Sequence, residues 1–347
     1  MGGSGGGRTV ISFVVPCFNS TAYMDRALAS LVVGGTDVEV IIVDDGSTRD
    51  DTAQKADAWA REHPGVVRVI HQENRGHGGA VNAGLRAAIG EYVMVVDSDD
   101  WLDPDALGRL LPRLRGFLDG EAPPDIVVTN YVYEHVASHT AKAMRYRRAL
   151  PVDRPFGWDD LGHFGPAQSL TMRTLIYRTR VLRASGLELP EHTFYVDNIY
   201  AYVPLSYAET LHYLPLDLYR YFIGRPDQSV SHATLVRQAD QHIAVARIMA
   251  DAARGPVAAA HPTLERYLDS FLGTVVTASC ALAAVNGSAK ALEQRRAMWE
   301  HIHATDPALE QRLRRQFLVW GTNLPGAPGR FVARTGYRLA QVLYGFN

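Results

Sequence analysis

The sequence predicts an α/β fold: a mainly parallel sheet with helices on both faces, followed by a smaller α-helical C-terminal region. Three observations carry this. Short, β-branched apolar runs alternate with amphipathic stretches over the first third of the chain. Several of those runs end in polar or acidic residues, as strands do where they reach a ligand-facing edge. Beyond Ser231 the strand-like runs give way to an Ala-rich helical pattern.

The first strand is expected over residues 9–15, TVISFVV, stopped by Pro16. A helix follows, capped by Ser20 or Thr21, with Met24, Ala27, Leu28 and Leu31 on one face. Residues 38–43 form a second strand that runs into Asp44-Asp45-Gly46-Ser47. The next helix spans residues 51–61, with Ala56, Trp59 and Ala60 inward, and residues 66–71 make a third strand. The glycine-rich turn Asn74-Arg75-Gly76-His77-Gly78-Gly79 leads into a helix that buries Val81, Leu85, Ala88 and Ile89. Residues 92–96 are the fourth strand. Asp103-Pro104 then opens a helix marked by Leu107, Leu110, Leu111 and Leu114. Residues 125–132 form a further strand, and residues 142–225 are less regular and rich in aromatics. Helices are expected over 238–253, 262–285, 289–303 and 306–317, punctuated by Asn286-Gly287.

Composition narrows the class. With 347 residues and 47% hydrophobic content, the chain can bury a sizeable core. A formal net charge of −2 gives no electrostatic case for binding nucleic acid. Cys17 and Cys280 are the only cysteines and read as buried thiols of a reducing compartment. Met1 to Gly7, MGGSGGG, reads as an added leader. The weakly polar stretch 272–285 is too short and too rich in Thr, Ser and Gly to span a bilayer, which implies a soluble or peripheral protein.

The chemistry is expected at YVMVVDSDDW, residues 92–101. Three carboxylates at the tip of a buried strand repel one another unless a cation or donors satisfy them. Side chains two apart in extended chain point the same way, so Asp97 and Asp99 can converge on a hard divalent ion, Mg²⁺ or Mn²⁺. Such an ion suits a diphosphate leaving group. Helix capping is the competing explanation, but Asp103 alone can cap the next helix. Asn19, Asp44-Asp45, the Arg75 loop and Asp97-Asp99 all fall at strand ends, so they would share one edge of the sheet.

VVPCFNS, VDDGSTRD, ENRGHGGAVNAGL and VDSDDW, in that order and at close spacing, resemble the family 2 glycosyltransferases of the GT-A fold. The match is strong over the first hundred residues and weaker to Arg225, through FYVDN and LYRYFIGRPDQSVS. The resemblance implies a catalytic domain over residues 8–228 and a helical domain over 229–347. It implies transfer of a sugar from a nucleotide diphosphate, by default a UDP-sugar, to an acceptor hydroxyl with inversion. Asp45, with Asp44 beside it, would read base and ribose, and Arg75 would contact the base. Asp97 and Asp99 would handle ribose, metal and diphosphate, with Pro16, Asn19, Ser98 and Arg225 as further donor contacts. The family's Glu-Asp base motif falls on Tyr195-Val196-Asp197-Asn198, where Val196 replaces the glutamate and Asp197 remains as the base. GHGGAVN and the ending YRLAQVLYGFN resemble enzymes building actinobacterial or teichoic-acid-like wall polymers, so a glycan or polyol phosphate is the expected acceptor.

Each residue has a plainer alternative. Asp45 could close a turn, Arg75 could be a surface charge, and His77 could fill its turn rather than touch phosphate. Asp197 could cap a helix, and Trp101 and Trp158 could be core rather than sugar platforms. His163 and His192 are structural unless one completes a metal shell. Arg225 and Ser229 lie in a loop that either folds over the diphosphate or links domains. Arg330, Arg334 and Arg338 form a helical stripe that either packs on its own domain or rests on an anionic membrane. A cytoplasmic location follows, with peripheral contact at the inner membrane face under the second reading; self-association is left open. A non-catalytic sugar-nucleotide or glycan-binding module is the rival function. A dinucleotide-binding dehydrogenase is excluded, because no G-x-G-x-x-G follows the first strand.

Overall fold

The computed structural model describes residues 8–135, 140–165, 168–223, 238–253 and 255–324. Arg225, Ser229 and the arginine stripe at Arg330, Arg334 and Arg338 lie outside the described residues. The chain divides into two compact units: residues up to Thr193 with Ala208–Ile223, and Phe194–Tyr207 with the residues beyond Gly224.

The first unit holds one ten-stranded sheet. Its parallel half is β1 (Ile11–Cys17), β2 (Val38–Asp44), β3 (Val67–His71) and β4 (Tyr92–Val95), set in the order β3-β2-β1-β4. Helices α1 (Met24–Val32), α2 (Thr52–Glu62) and α3 (Gly76–Ala87) connect them. After the short β5 (Trp101–Leu102) come α4 (Pro104–Asp119), β6 (Ile126–His135), β7 (Thr140–Met144), β8 (Pro155–Phe156), β9 (Leu175–Arg178), α5 (Thr179–Ala184) and β10 (Leu211–Ile223). The path continues β4-β9-β6-β10-β5, with β9 antiparallel to both neighbours and β10 parallel to β6.

Side-chain alternation on β1 explains the two covered faces. Ile11, Phe13 and Val15 join one core with Met24, Leu28 and Leu31 of α1 and Leu107, Leu110 and Leu114 of α4. Val14 points the other way, against α3, and a Cβ at Gly84 would lie 2.2 Å from its Cγ1. Glycine is what lets that helix approach the sheet.

Several sequence expectations need correcting. Pro16 does not stop β1; it is buried inside the strand and pairs with Val43. Val14 O accepts from Val96 N on the β4 side, and Cys17 O accepts from Asp45 N on the β2 side. Ladder alternation therefore turns the missing Pro16 N–H toward β4, beyond the last register pair, Val14–Val95. Ser20 and Thr21 do not cap α1, which starts after Tyr23. Ile89 is 67% exposed because α3 ends at Ala87. Asp103 does cap α4, accepting from Ala106 N at 3.0 Å.

The second unit begins with α6 (Val196–Tyr202), outside the helical domain expected from residue 229. Its neighbours explain the grouping: Phe194 N donates to Gln241 Oε1, the Tyr195 ring lies 3.8 Å from that of His242, and Tyr202 meets Phe271 edge-on. The remaining helices are α7 (Ala239–Asp251), α8 (Pro256–Ala260), α9 (Pro262–Asn286), α10 (Ala289–Thr305), α11 (Pro307–Arg314) and α12 (Phe317–Thr322). Gly287, at φ 69°, terminates α9 where Asn-Gly was expected to. Running 25 residues, with a mean hydropathy of 1.6 over its most apolar 18-residue window, α9 is by length and composition long and apolar enough to cross a membrane, longer than the stretch read from the sequence. Its most apolar window is 72% buried within the protein, as befits a core helix. Cys17 and Cys280 are both buried free thiols.

Candidate active site

The parallel ladder brings three strand ends level, because Cys17 pairs with Asp44 and Asp44 with His71. The end of β4 joins the same edge through β1. The sequence-predicted residues of the first unit fall at this edge, but they do different work there.

At the end of β2, Asp44 is 4% exposed. Its Oδ1 accepts from Ser47 N at 3.1 Å and its Oδ2 meets His71 Nδ1 at 2.9 Å. Each oxygen thus accepts from the protein, which gives Asp44 a part in holding the loop. Asp45 is also buried, with Gln72 Nε2 at 2.6 Å and Arg75 N at 2.8 Å both on Oδ1. Its Oδ2 remains as an acceptor. Asn19 takes a left-handed φ of 49° and accepts from Thr48 N and Arg49 N, fastening the loop after β1 to the loop after β2. Pro16, inside the sheet, offers a ligand no side-chain surface. Arg75 is exposed and its guanidinium pairs with Glu191 at 3.4 Å.

At the end of β4 the chain does not continue extended. Asp100 N bonds back to Asp97 O at 3.0 Å, closing a turn. The turn gathers Asp100 with Asp97 and Asp99, so that ligand oxygens of all three lie within 4.8 Å of one another. Among the described residues this is the one His, Cys, Asp and Glu group able to hold a metal ion. His163 and His192 are not part of it. Ser98 Oγ meets Ser20 Oγ at 2.9 Å, tying the turn to the start of the α1 loop.

Four residues that the sequence reading did not connect to this turn surround it. His77 Nε2 meets Asp97 Oδ1 at 2.9 Å, so it anchors the turn rather than filling its own. Tyr219 Oη accepts from Asp97 N at 3.2 Å and donates to Asp100 Oδ2 at 2.8 Å, while Phe222 N donates to Asp100 Oδ1. Arg173 places Nη2 3.5 Å from Asp97 and Nε 3.8 Å from Asp100, with its guanidinium over the Tyr221 ring. The Nε has no hydrogen-bond partner although it is buried.

These surroundings separate the carboxylates electrostatically. Burial, and then the neighbouring Asp99 charge, push Asp100 well above the usual carboxylate range. Burial acts in the same direction on Asp97, but the His77 hydrogen bond and charge, Arg173 and Tyr219 outweigh it and hold Asp97 below 3.8. Asp100 is thus a buried, hydrogen-bonded support. Asp97 and Asp99, the pair read from the sequence, lie beside it in the same acidic group.

Trp158 is completely buried and donates to Ala208 O, so it is core. Trp101 carries Arg26 on one face, 3.1 Å from its centroid, and Phe222 at its edge. In the second unit, Asp197 lies in the first turn of α6, behind Tyr195 as the left-handed N-cap. It is not the cap; its Oδ1 accepts from Asn198 Nδ2 at 3.3 Å. Val196 is 2% exposed, so an apolar core residue stands at the glutamate position of the family motif.

Residues 12–173 match the description "Glycosyl transferase family 2". Those residues form a family 2 glycosyltransferase domain. Among curated relatives, the glycosyltransferase EpsH of Bacillus subtilis is 30% identical over 235 residues, covering 61% of this chain and 60% of EpsH. Chondroitin synthase of Escherichia coli is 40% identical over 107 residues, 30% of this chain and 15% of the synthase. The chain thus spans less than two thirds of the length of these relatives. The crystal structure of S. aureus TarS 1–349 in complex with UDP superposes over 96% of this chain and 92% of its own, at 20% identity and a TM-score of 0.63. The shared architecture is GT-A-like.

Proposed function

We propose that this chain is a metal-dependent inverting glycosyltransferase that moves a sugar from a nucleotide diphosphate, a UDP-sugar by preference, to a hydroxyl of a glycan or polyol-phosphate polymer. The observation that carries the reading is the acidic turn. Three carboxylates converge at the carboxyl end of β4, with ligand oxygens within 4.8 Å of one another, inside the stretch that matches the family. TarS, a protein of the same architecture, has been crystallised with UDP and with UDP-GlcNAc, which supports a uridine donor.

The donor set fits Mg²⁺ or Mn²⁺, since carboxylate oxygens are the ligands such ions favour. Asp97 and Asp99 would hold the ion; bound there, it would neutralise the diphosphate as the bond to the anomeric carbon breaks. His77 and Tyr219 keep Asp97 in place, and Asp100 stays with its protein donors. Asp45 Oδ2 would accept from the base. Asp197 would take the proton from the acceptor hydroxyl, so that a single in-line displacement inverts the anomeric centre. Val196 leaves Asp197 as the one carboxylate of that motif. The helical unit would shape acceptor binding. A polysaccharide acceptor is in keeping with the name of chondroitin synthase.

The test is a panel of nucleotide sugars incubated with the protein and Mn²⁺, with and without chelator, read as released nucleoside diphosphate. Release from one donor that stops with chelator supports the proposal, and release indifferent to chelator overturns the metal role. Asp197→Asn should keep donor binding and lose transfer to acceptor. If that variant transfers normally, Asp197 is not the base. If wild type only binds donor whatever acceptor is added, the binding-module alternative takes its place.

A further inference from the structure

Asp197 follows a backbone conformation that its sequence does not favour. Tyr195, just before α6, sits at φ 65° and ψ 18°. A bulky non-glycine residue takes this left-handed conformation only where its surroundings impose it. The consequence reaches the carboxylate directly. Tyr195 O accepts from Asn198 N at 3.2 Å and from Asn198 Nδ2 at 3.1 Å, and the same Nδ2 donates to Asp197 Oδ1 at 3.3 Å. The two hydrogens of one amide thus tie the Asp197 carboxylate to the Tyr195 carbonyl.

Helix α7 holds this turn. Phe194 N donates to Gln241 Oε1 at 2.8 Å, the Tyr195 and His242 rings lie 3.8 Å apart at 32°, and Tyr195 Oη reaches Gln238 Oε1 at 3.5 Å. Gln238, Gln241 and His242 stand at i, i+3 and i+4, on one face at the start of the helix. They grip the turn by backbone, ring and hydroxyl. His242 serves as a flat surface. It is buried, its Nδ1 has no hydrogen-bond partner, and burial holds the imidazole down to about 4, so the ring is neutral. An unsatisfied buried nitrogen weakens a protein, so this position uses the ring face and not the polar atom. We infer, on the reading of Asp197 as the base, that Gln238, Gln241 and His242 are positioning residues: α7 keeps Tyr195 in its left-handed turn, and that turn, through Asn198, aims the carboxylate. The helical unit then takes part in the reaction besides shaping acceptor binding. A displacement of about 1 Å in a reacting group is enough to slow a reaction about 100-fold while binding elsewhere is unchanged.

The experiment compares the full chain with His242→Ala, His242→Phe and Gln241→Ala. Three quantities are read: turnover at saturating UDP-sugar with Mn²⁺, the Kd for UDP with Mn²⁺, and amide hydrogen exchange over residues 194–200. His242→Ala should lower turnover about tenfold or more, leave the Kd for UDP unchanged and speed exchange in that segment. His242→Phe keeps the ring face and should recover most of the turnover. Gln241→Ala, which removes the acceptor of Phe194 N, should show the same split with a smaller loss. Full turnover in His242→Ala, or an equal loss in His242→Phe, overturns the inference. So does wild-type exchange over 194–200 in His242→Ala, a readout that needs no active donor. If His242→Ala does not fold, Gln241→Ala decides by the same exchange and turnover. Asp197→Asn separates the two readings. Normal transfer by that variant removes the base reading and this inference with it. An inactive Asp197→Asn beside a fully active His242→Ala overturns the positioning role alone.

Discussion

Two strand ends of the sheet carry the same signature, an acidic pair at the carboxyl end of a buried parallel strand, and the protein treats them differently. At the end of β2, Asp44 gives both oxygens to Ser47 N and His71, and Asp45 takes Gln72 and Arg75 N on one oxygen. At the end of β4, Asp97, Asp99 and Asp100 crowd within 4.8 Å, and the nearby Arg173 stands at ion-pair distances of 3.5 and 3.8 Å. A carboxylate whose oxygens are filled by protein donors holds a loop. Carboxylates gathered this closely repel one another and favour an added cation. Aspartates at a strand end are thus ambiguous in sequence, and the donors around them decide which kind they are.

The largest effect expected from this contrast is on turnover. Asp99→Asn should lower metal-dependent release of nucleoside diphosphate by about 10²–10³-fold, with an unchanged circular dichroism spectrum. Activity near wild type would place the cation elsewhere. Next is Arg173→Met, which takes away the guanidinium facing Asp97 and Asp100. The metal-free protein should lose about 2–3 kcal/mol, because one side of a largely buried charge cluster is removed. Mn²⁺ should then raise its melting temperature more than it raises that of wild type. Equal Mn²⁺ shifts in the two proteins would mean that Arg173 and the ion do not act on the same carboxylates. Asp44→Ala should cost about 1–2 kcal/mol in denaturant unfolding, by stripping partners from Ser47 N and His71, and leave the affinity for donor as it was. A large loss of donor affinity without loss of stability would reverse the comparison.

The parallel half of the fold was legible because most of its signals are local: each apolar run and the helix after it carry their own period, β1 pairs with β2 and β2 with β3, and only β4 crosses over to join β1. The other half was not. In β10, Pro215, Asp217 and Arg220 interrupt the strand pattern, and its partner β6 lies far back in the chain. Within the site, Asp97 and Asp99 could be read from their place after an apolar strand. Their grouping by extended chain was wrong in mechanism, since a turn brings them together and adds Asp100. Tyr219, Phe222 and Arg173 carry no local signal, for they reach the turn only once β9 and β10 join the sheet. His77 was visible as a histidine among glycines, but only the start of α3 aims it at Asp97.

The smallest predicted effect tests the saturated end of the comparison by pH. His71 Nδ1 meets Asp44 and Nε2 meets Asp57 at 3.1 Å, and these hydrogen bonds, the Asp44 one first, raise the imidazole above its usual 6.5 against the pull of burial. A histidine whose affinity for its proton is raised by folding stabilises the fold while protonated. Its contribution is therefore complete below about pH 6.5, the unfolded value, and is lost as pH climbs through the higher folded value. The ring is 44% exposed, so screening limits the amount to about 0.5 kcal/mol or less. Unfolding of wild type and His71→Gln across this range should show a wild-type advantage on the acid side that shrinks toward alkaline pH. If the advantage grew with pH instead, the imidazole would be neutral in the fold. A neutral imidazole has one N–H to give, so it could serve Asp44 or Asp57 but not both, and the β2 end would be less fully satisfied than the geometry suggests.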